Sequence, residues 1–409
     1  MSADDPWRGC NPLDPAFRDD PYPSLRRLRE VEPVNRTPIG FWRLTRYADV
    51  NRLLHEVPAG TRTTDGVLPG VDESLSGQRQ FMLQQDPPTH TRLRRLVSRA
   101  FTPRAIAALR GNVQRIVDEC LDRVAPRGEM DVIADLALPV PATVICEMLG
   151  VPVGDRDRFT AWTAQATYGL AAGVLPPEML AQAAAAGMSL AAYFQELIAA
   201  RRTRLGDDLL SALIRAEEEG DRLSPSELIS QAIGLLIAGF ETTIGLIGNG
   251  LRALVEHPAE LAKLRARPEL AERAVEECLR YDGPIILTAR VLHADVAFDG
   301  TTIPCNAKVW GMLAAANRDP AVFPDPDRFD IERQPNEHLA FGGGPHFCLG
   351  AYLARLEGQI AIGSLVARFD ELSLRSRPVE WGASLFRVPG RLPLQFRARR
   401  AADGEGPGV

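Results

Sequence analysis

Apolar residues recur every three or four positions along most of the chain, and strict alternation is confined to short runs. A short helix, Pro23 to Glu30, precedes a strand-like stretch holding Val34, Ile39, Phe41, Trp42 and Leu44, and Tyr47 to Leu54 is helical again. Further helices are predicted from Asp86 to Phe101, Pro103 to Val124, Val132 to Leu149, Asp155 to Ala171, Pro177 to Leu205 and Asp207 to Gly220. Asp86, followed by Pro87 and Pro88, reads as a capping acid with prolines suited to a first turn. Ser224-Pro225-Ser226-Glu227 opens the longest helix, which reaches about His257. Two more begin at Pro258 and Pro268, the second ending at Tyr281.

Beyond Ile285 the pattern changes. Short strands are predicted at Thr288–Leu292, Asp295–Phe298, Thr301–Ile303 and Lys308–Met312, then at Leu372–Leu374 and Leu392–Phe396. One more helix runs from Ala351 to about Arg368. Residues 57–80 and 317–340 lack periodicity and read as long loops. These elements predict a mainly α domain with a small β-rich part over residues 21–397. An irregular lead-in at 1–20 and a disordered tail at 398–409 flank it.

Composition narrows the classes. The chain has 409 residues, 45% of them hydrophobic, enough for a large core. A net charge of −6 argues against nucleic acid as a partner. Six cysteines without a C-x-x-C pair, in a chain this long, suit a reducing, cytoplasmic compartment. The first twenty residues carry Asp and Arg with no apolar run, so no membrane anchor is expected at this end.

The chemistry concentrates in Phe341-Gly-Gly-Gly-Pro-His-Phe-Cys-Leu-Gly350. Three glycines and a proline prevent regular structure, and a helix follows at once. Cys348 is therefore expected at a helix N-terminus, where free N–H groups and the helix dipole lower a thiol pKa. A buried structural cysteine is the bland alternative. A phosphate-binding loop fails, because Phe347 takes the third glycine position of G-x-G-x-x-G and no lysine follows. On the long helix, Gly234, Ala238 and Thr242 share one face, beside Glu241. Small residues there admit a flat molecule to the backbone, and Thr242 can bond back to the i−4 carbonyl. Close helix packing explains the same residues without chemistry.

The loop resembles the haem-ligand loop of the cytochrome P450 family, F-G-x-G-x-H-x-C-x-G, at Phe341, Gly342, Gly344, His346, Cys348 and Gly350. The segment Ala238-Gly-Phe-Glu-Thr-Thr243 resembles that family's acid–alcohol pattern, and Glu277-x-x-Arg280 its structural Glu–Arg pair. The resemblance implies haem b held by Cys348, with His90, Arg94, Arg290 and His346 binding its propionates. Phe341, Gly350 and Ala238 would pack on the cofactor, and Glu241 and Thr242 would deliver protons to bound oxygen. It implies a pocket lined by Phe81, Met82, Leu170, Gly234, Ile237, Ile286, Leu287 and Phe386. These side chains suit a medium-to-large hydrophobic substrate, with Arg62 or Arg79 available to clamp an acid.

The implied reaction is hydroxylation or epoxidation of a steroid, terpenoid, macrolide, other polyketide or fatty-acyl compound with O2. NAD(P)H electrons would arrive through a ferredoxin-type donor and its reductase. Arg92, Arg95, Arg99, Arg104 and Arg355 are candidates for docking that donor, and Arg328 for anchoring the Pro-rich 323–329 stretch. A soluble bacterial monomer is the expected form. The alternatives are a peroxide-driven haem-thiolate peroxygenase and a non-catalytic binding module, both of which would normally lack the Glu241–Thr242 pair.

Overall fold

A computed structural model describes residues 7–399 apart from 12–13, 70–79, 172–176, 207, 219–222, 376–378 and 383–385. The central helix, Pro225–Glu256, is built by its first turn. Ser224 Oγ accepts from the Glu227 N–H, and the Glu227 carboxylate accepts from the Ser224 N–H at 2.8 Å. Two donors of the helix start are thus satisfied. Pro225 fills the first helical position and Pro258 follows the end. The helix is buried on nearly every side, which is why its apolar residues are not confined to a stripe.

The main core gathers around this helix. Pro139–Met148, Ala271–Asp282 and Ala351–Arg368 pack on it, and Arg110–Val124 packs on Pro139–Met148 and Ala351–Arg368. Two smaller clusters lie under the β-rich part. A five-stranded sheet runs in the order Val34–Arg36, Trp42–Leu44, Lys308–Gly311, Thr288–Leu292, Ala59–Gly60. It is antiparallel except where Trp42–Leu44 pairs in parallel with Lys308–Gly311. The strand Pro393–Ala398 lies between Glu129–Asp131 and Phe369–Leu374. Among the described residues two helices, Pro177–Thr203 and Pro225–Glu256, are long and apolar enough to cross a membrane. In the second, 72% of the apolar window is buried in the fold, as a core helix requires.

Several predicted elements are split or moved. The expected irregular lead-in contains a helix, Pro15–Asp19, whose cap is Asp14, the acceptor of the Ala16 N–H. Val132–Leu149 divides into a π-helical turn, Ile133–Ala137, and a helix opened by Pro139. Pro103–Val124 breaks at Leu109. Asp86 is not the cap of its helix, which runs Thr89–Ser98 without a capping side chain. Its carboxylate accepts instead from the Thr61 and Arg62 N–H groups at 2.7 and 2.9 Å. The tail from residue 400 lies outside the described residues.

Candidate active site

The cysteine loop folds back on itself before its helix starts. The Cys348 N–H donates to the Phe341 carbonyl at 2.9 Å, closing the turn. Gly342 and Gly344 take φ of 67° and 63°, a region that disfavours side chains. A Cβ on Gly344 would also collide with the Leu54 carbonyl. Cys348 lies two residues ahead of Gly350, the N-cap of Ala351–Arg368. The expected lowering of its pKa is overturned: burial pushes the thiol up, opposed by the Gly350 N–H, Arg94 and Arg355. Desolvation outweighs the helix terminus.

The central helix carries Gly234, Ala238 and Thr242 on one face. Ala238 is exposed and Ile237 and Gly239 beside it are half-buried, in a helix otherwise mostly buried, so the helix borders an opening there. Thr242 Oγ1 donates to the Ala238 carbonyl at 2.8 Å. Glu241 is buried and acts electrostatically on Tyr168, helping to raise that phenol's pKa behind the larger effect of burial. On the next helix over, Glu357 is buried and hydrogen-bonded to Thr243. Burial lifts its pKa to about 8, and Thr243 works in the opposite direction. Sequence reasoning passed over Glu357 as one position in an apolar helix.

Basic groups meet beside the loop. The His90 and His346 rings lie 4.2 Å apart. Burial first, then Arg290, drives the His346 pKa down to about 3. Burial and Arg94 lower that of His90. Arg290 is buried, its pKa reduced by desolvation to about 10, and it donates to Thr288 Oγ1 and the Ala289 carbonyl at 3.2 and 2.9 Å. Arg94 donates to the Phe347 carbonyl at 2.6 Å. Asp86 was missed in this cluster, with a carboxylate oxygen 4.0 Å from His346 Nε2. Its partners Thr61 and Arg62 are some 25 residues upstream, beyond any local pattern.

Glu277 and Arg280 form a fully buried pair with two 2.7 Å contacts. Arg280 also donates to the carbonyls of Asn317, Pro326 and Arg328. Arg328 therefore meets Arg280 through its backbone, while its side chain pairs with Asp330 at 3.7 Å. The side chains that reach Glu277 are Arg333 and Asn336.

Other expectations are revised. Arg355 donates twice to Glu276 at 2.7 Å and Arg92 pairs with Glu227, so neither offers an unpaired charge for docking. Arg95, Arg99 and Arg104 are exposed. Arg62 is held by the Gln84 and Gly66 carbonyls, which removes it as an acid clamp. Phe81, Ile237 and Phe386 pack beside the main core with Met82 inside it, whereas Ile286 and Leu287 pack on the separate cluster containing Trp310 and Met312. Arg79 and the Leu170 side chain lie outside the described residues.

These residues fit a flat anionic cofactor with a soft metal. His90 Nδ1 is buried without a hydrogen-bond partner. A Cβ on Gly350 would meet nothing within 4 Å, so a free space adjoins the cysteine loop. A lone sulfur with two arginines and two imidazoles gathered beside its loop is a donor set that fits a metalloporphyrin with anionic edge groups. The helical fold and this donor set are those of a haem-binding enzyme. The cytochrome P450 family model matches residues 60–380, and the chain belongs to that family. It is 42% identical to cytochrome P450 monooxygenase PikC of Streptomyces venezuelae, covering 98% of this chain and 97% of that one. It is 40% identical to 6-deoxyerythronolide B hydroxylase of Saccharopolyspora erythraea, covering 93% and 97%. P450BioI, solved in complex with hexadec-9Z-enoic acid ligated acyl carrier protein, superposes with a TM-score of 0.87 at 38% identity. That match covers 93% of this chain and all of that one. The protein is a haem- and iron-dependent oxidoreductase of the bacterial monooxygenase type.

Proposed function

We propose that the protein hydroxylates or epoxidises a macrolide, other polyketide or fatty-acyl substrate, with Cys348 as the thiolate ligand. The observation that carries this reading is the gathering of His90, His346, Arg94 and Arg290 beside the Cys348 loop, with His90 Nδ1 buried and unpartnered. Bound haem would supply what the side chains lack, activation of O2 and insertion of one oxygen atom. The relatives named for polyketide hydroxylation and for a carrier-bound fatty acid support the substrate class.

The chain's own residues divide the remaining work. Cys348 must lose its proton on ligation, because burial otherwise keeps it a thiol. His90, Arg94, Arg290 and His346 would hold the propionates by charge-assisted hydrogen bonds. Thr242 Oγ1, which donates to the Ala238 carbonyl, would turn its proton toward the bound oxygen, and Glu241 would replenish it. Glu277 and Arg280 hold the 317–336 stretch without touching the reaction. Electrons would come from an acidic ferredoxin-type protein docking near Arg99 and Arg104. The protein would work as a cytoplasmic monomer.

The test is a screen of macrolactones and C12–C16 fatty acids for a low-to-high-spin shift, followed by turnover under ¹⁸O2 with a surrogate ferredoxin and its reductase. One labelled oxygen in the product is expected. Binding without label in any product would overturn the reading.

A further inference from the structure

The central helix carries a polar side chain that has no part in the chemistry above. Gln231 is completely buried. Its Nε2 donates to the Gln80 carbonyl at 2.7 Å, and its Oε1 accepts from the Met82 N–H at 3.2 Å. One side-chain amide therefore satisfies the backbone on both sides of Phe81, as a neighbouring strand would. Buried backbone groups need such partners, and an apolar residue here would orphan both.

Three residues further on, the same helix has Gly234. A Cβ built there would fall inside the Phe81 ring, so the ring occupies the space a side chain would need. Gln231 and Gly234 lie on one helical face with Ala238 and Thr242. Phe81 thus seats about 6 Å along the helix axis from Ala238, one turn at 1.5 Å per residue. The segment is fixed beyond the ring too, since the Phe81 carbonyl accepts from the Gln84 N–H at 2.9 Å.

We propose that Gln231 and Gly234 form a latch that seats Phe81 as the end wall of the substrate cavity. Gln231 is then a positioning residue for specificity, although it need not meet the substrate. The proposal rests on the monooxygenase reading only for what the wall bounds.

The test is a double-mutant cycle on the haem-loaded protein, read by Soret shifts with imidazole and with the bulky azole clotrimazole. Gly234→Ala is expected to change the clotrimazole Kd by about tenfold, within the coupling range of residues in contact. Imidazole affinity should stay within about twofold, because a small ligand does not reach the wall. Gln231→Met, which keeps length but loses both hydrogen bonds, should behave like Gly234→Ala and serves if that variant fails to fold. In a Phe81→Ala background both substitutions should change the clotrimazole Kd by less than about twofold. Equal effects with and without Phe81, or equal effects on both azoles, would overturn the latch. If the wild-type ferrous–CO complex lacks a thiolate Soret band, the haem assignment is at fault. The same cycle read by thermal unfolding then decides whether Gly234 and Phe81 are coupled.

Discussion

Glu357→Gln tests the packing of the cysteine-loop helix on the central helix. In the folded protein the Glu357 carboxyl is buried against Thr243, and its pKa rises from 4.5 to about 8. In the unfolded chain it ionises near its ordinary value. Between these pH values the folded acid is protonated and the unfolded one charged, so rising pH favours unfolding. The slope is about 1.4 kcal/mol per pH unit. Raising pH from 6 to 8 therefore costs the wild type about 2–3 kcal/mol that a glutamine, which does not titrate, keeps. An unfolding entropy of about 2.1 cal/mol/K per residue gives about 0.9 kcal/mol per degree for a chain of this length, so the effect is about 3 °C. The assay is the Tm of both haem-loaded proteins across pH 6–8, taking the difference so that other groups cancel. The Tm of Glu357→Gln minus that of the wild type should grow by about 3 °C over this range. A difference that stays constant would mean that the carboxyl does not change protonation on unfolding there, and would refute the reasoning.

Other perturbations address separate parts of the account. Glu277→Ala leaves Arg280 buried and unpaired, and urea unfolding should show a loss of about 3–5 kcal/mol. Arg290→Ala should speed haem transfer to apomyoglobin by about 10–100-fold, the value of one or two charge-assisted hydrogen bonds. Thr242→Ala should release peroxide and cut product per NAD(P)H by about tenfold or more, measured by oxygen and product balance; unchanged coupling would remove Thr242 from the proton path. Asp282→Ala removes the partner of Arg387 and Arg252, at 2.5 Å from each, and frees the backbone next to Phe386. It should lower Tm and loosen clotrimazole binding together.

What the sequence disclosed was local. The capping box at Ser224, the prolines at helix starts and the glycines of the cysteine loop act within a few residues, so pattern reading finds them. The back-bond of Thr242 was legible for the same reason. What escaped was pairing across the chain. Asp86 reads as a helix cap until Thr61 and Arg62 are seen to claim its carboxylate. Arg355 reads as a docking cation until Glu276, 79 residues away, takes it. Gln231 has no signature at all, because its function depends on a loop about 150 residues upstream. The pKa of Cys348 failed differently: the helix dipole is visible in sequence, but the burial that outweighs it is not.

The central claim is that Cys348 supplies a thiolate to haem iron across from the Ala238–Thr242 face. The most direct measurement is the absorption spectrum of the reduced protein under carbon monoxide, for the wild type and for Cys348→His. The account predicts the strongly red-shifted Soret band of thiolate ligation in the wild type and its loss in the variant, with haem still bound. A red-shifted band that survives Cys348→His would contradict it.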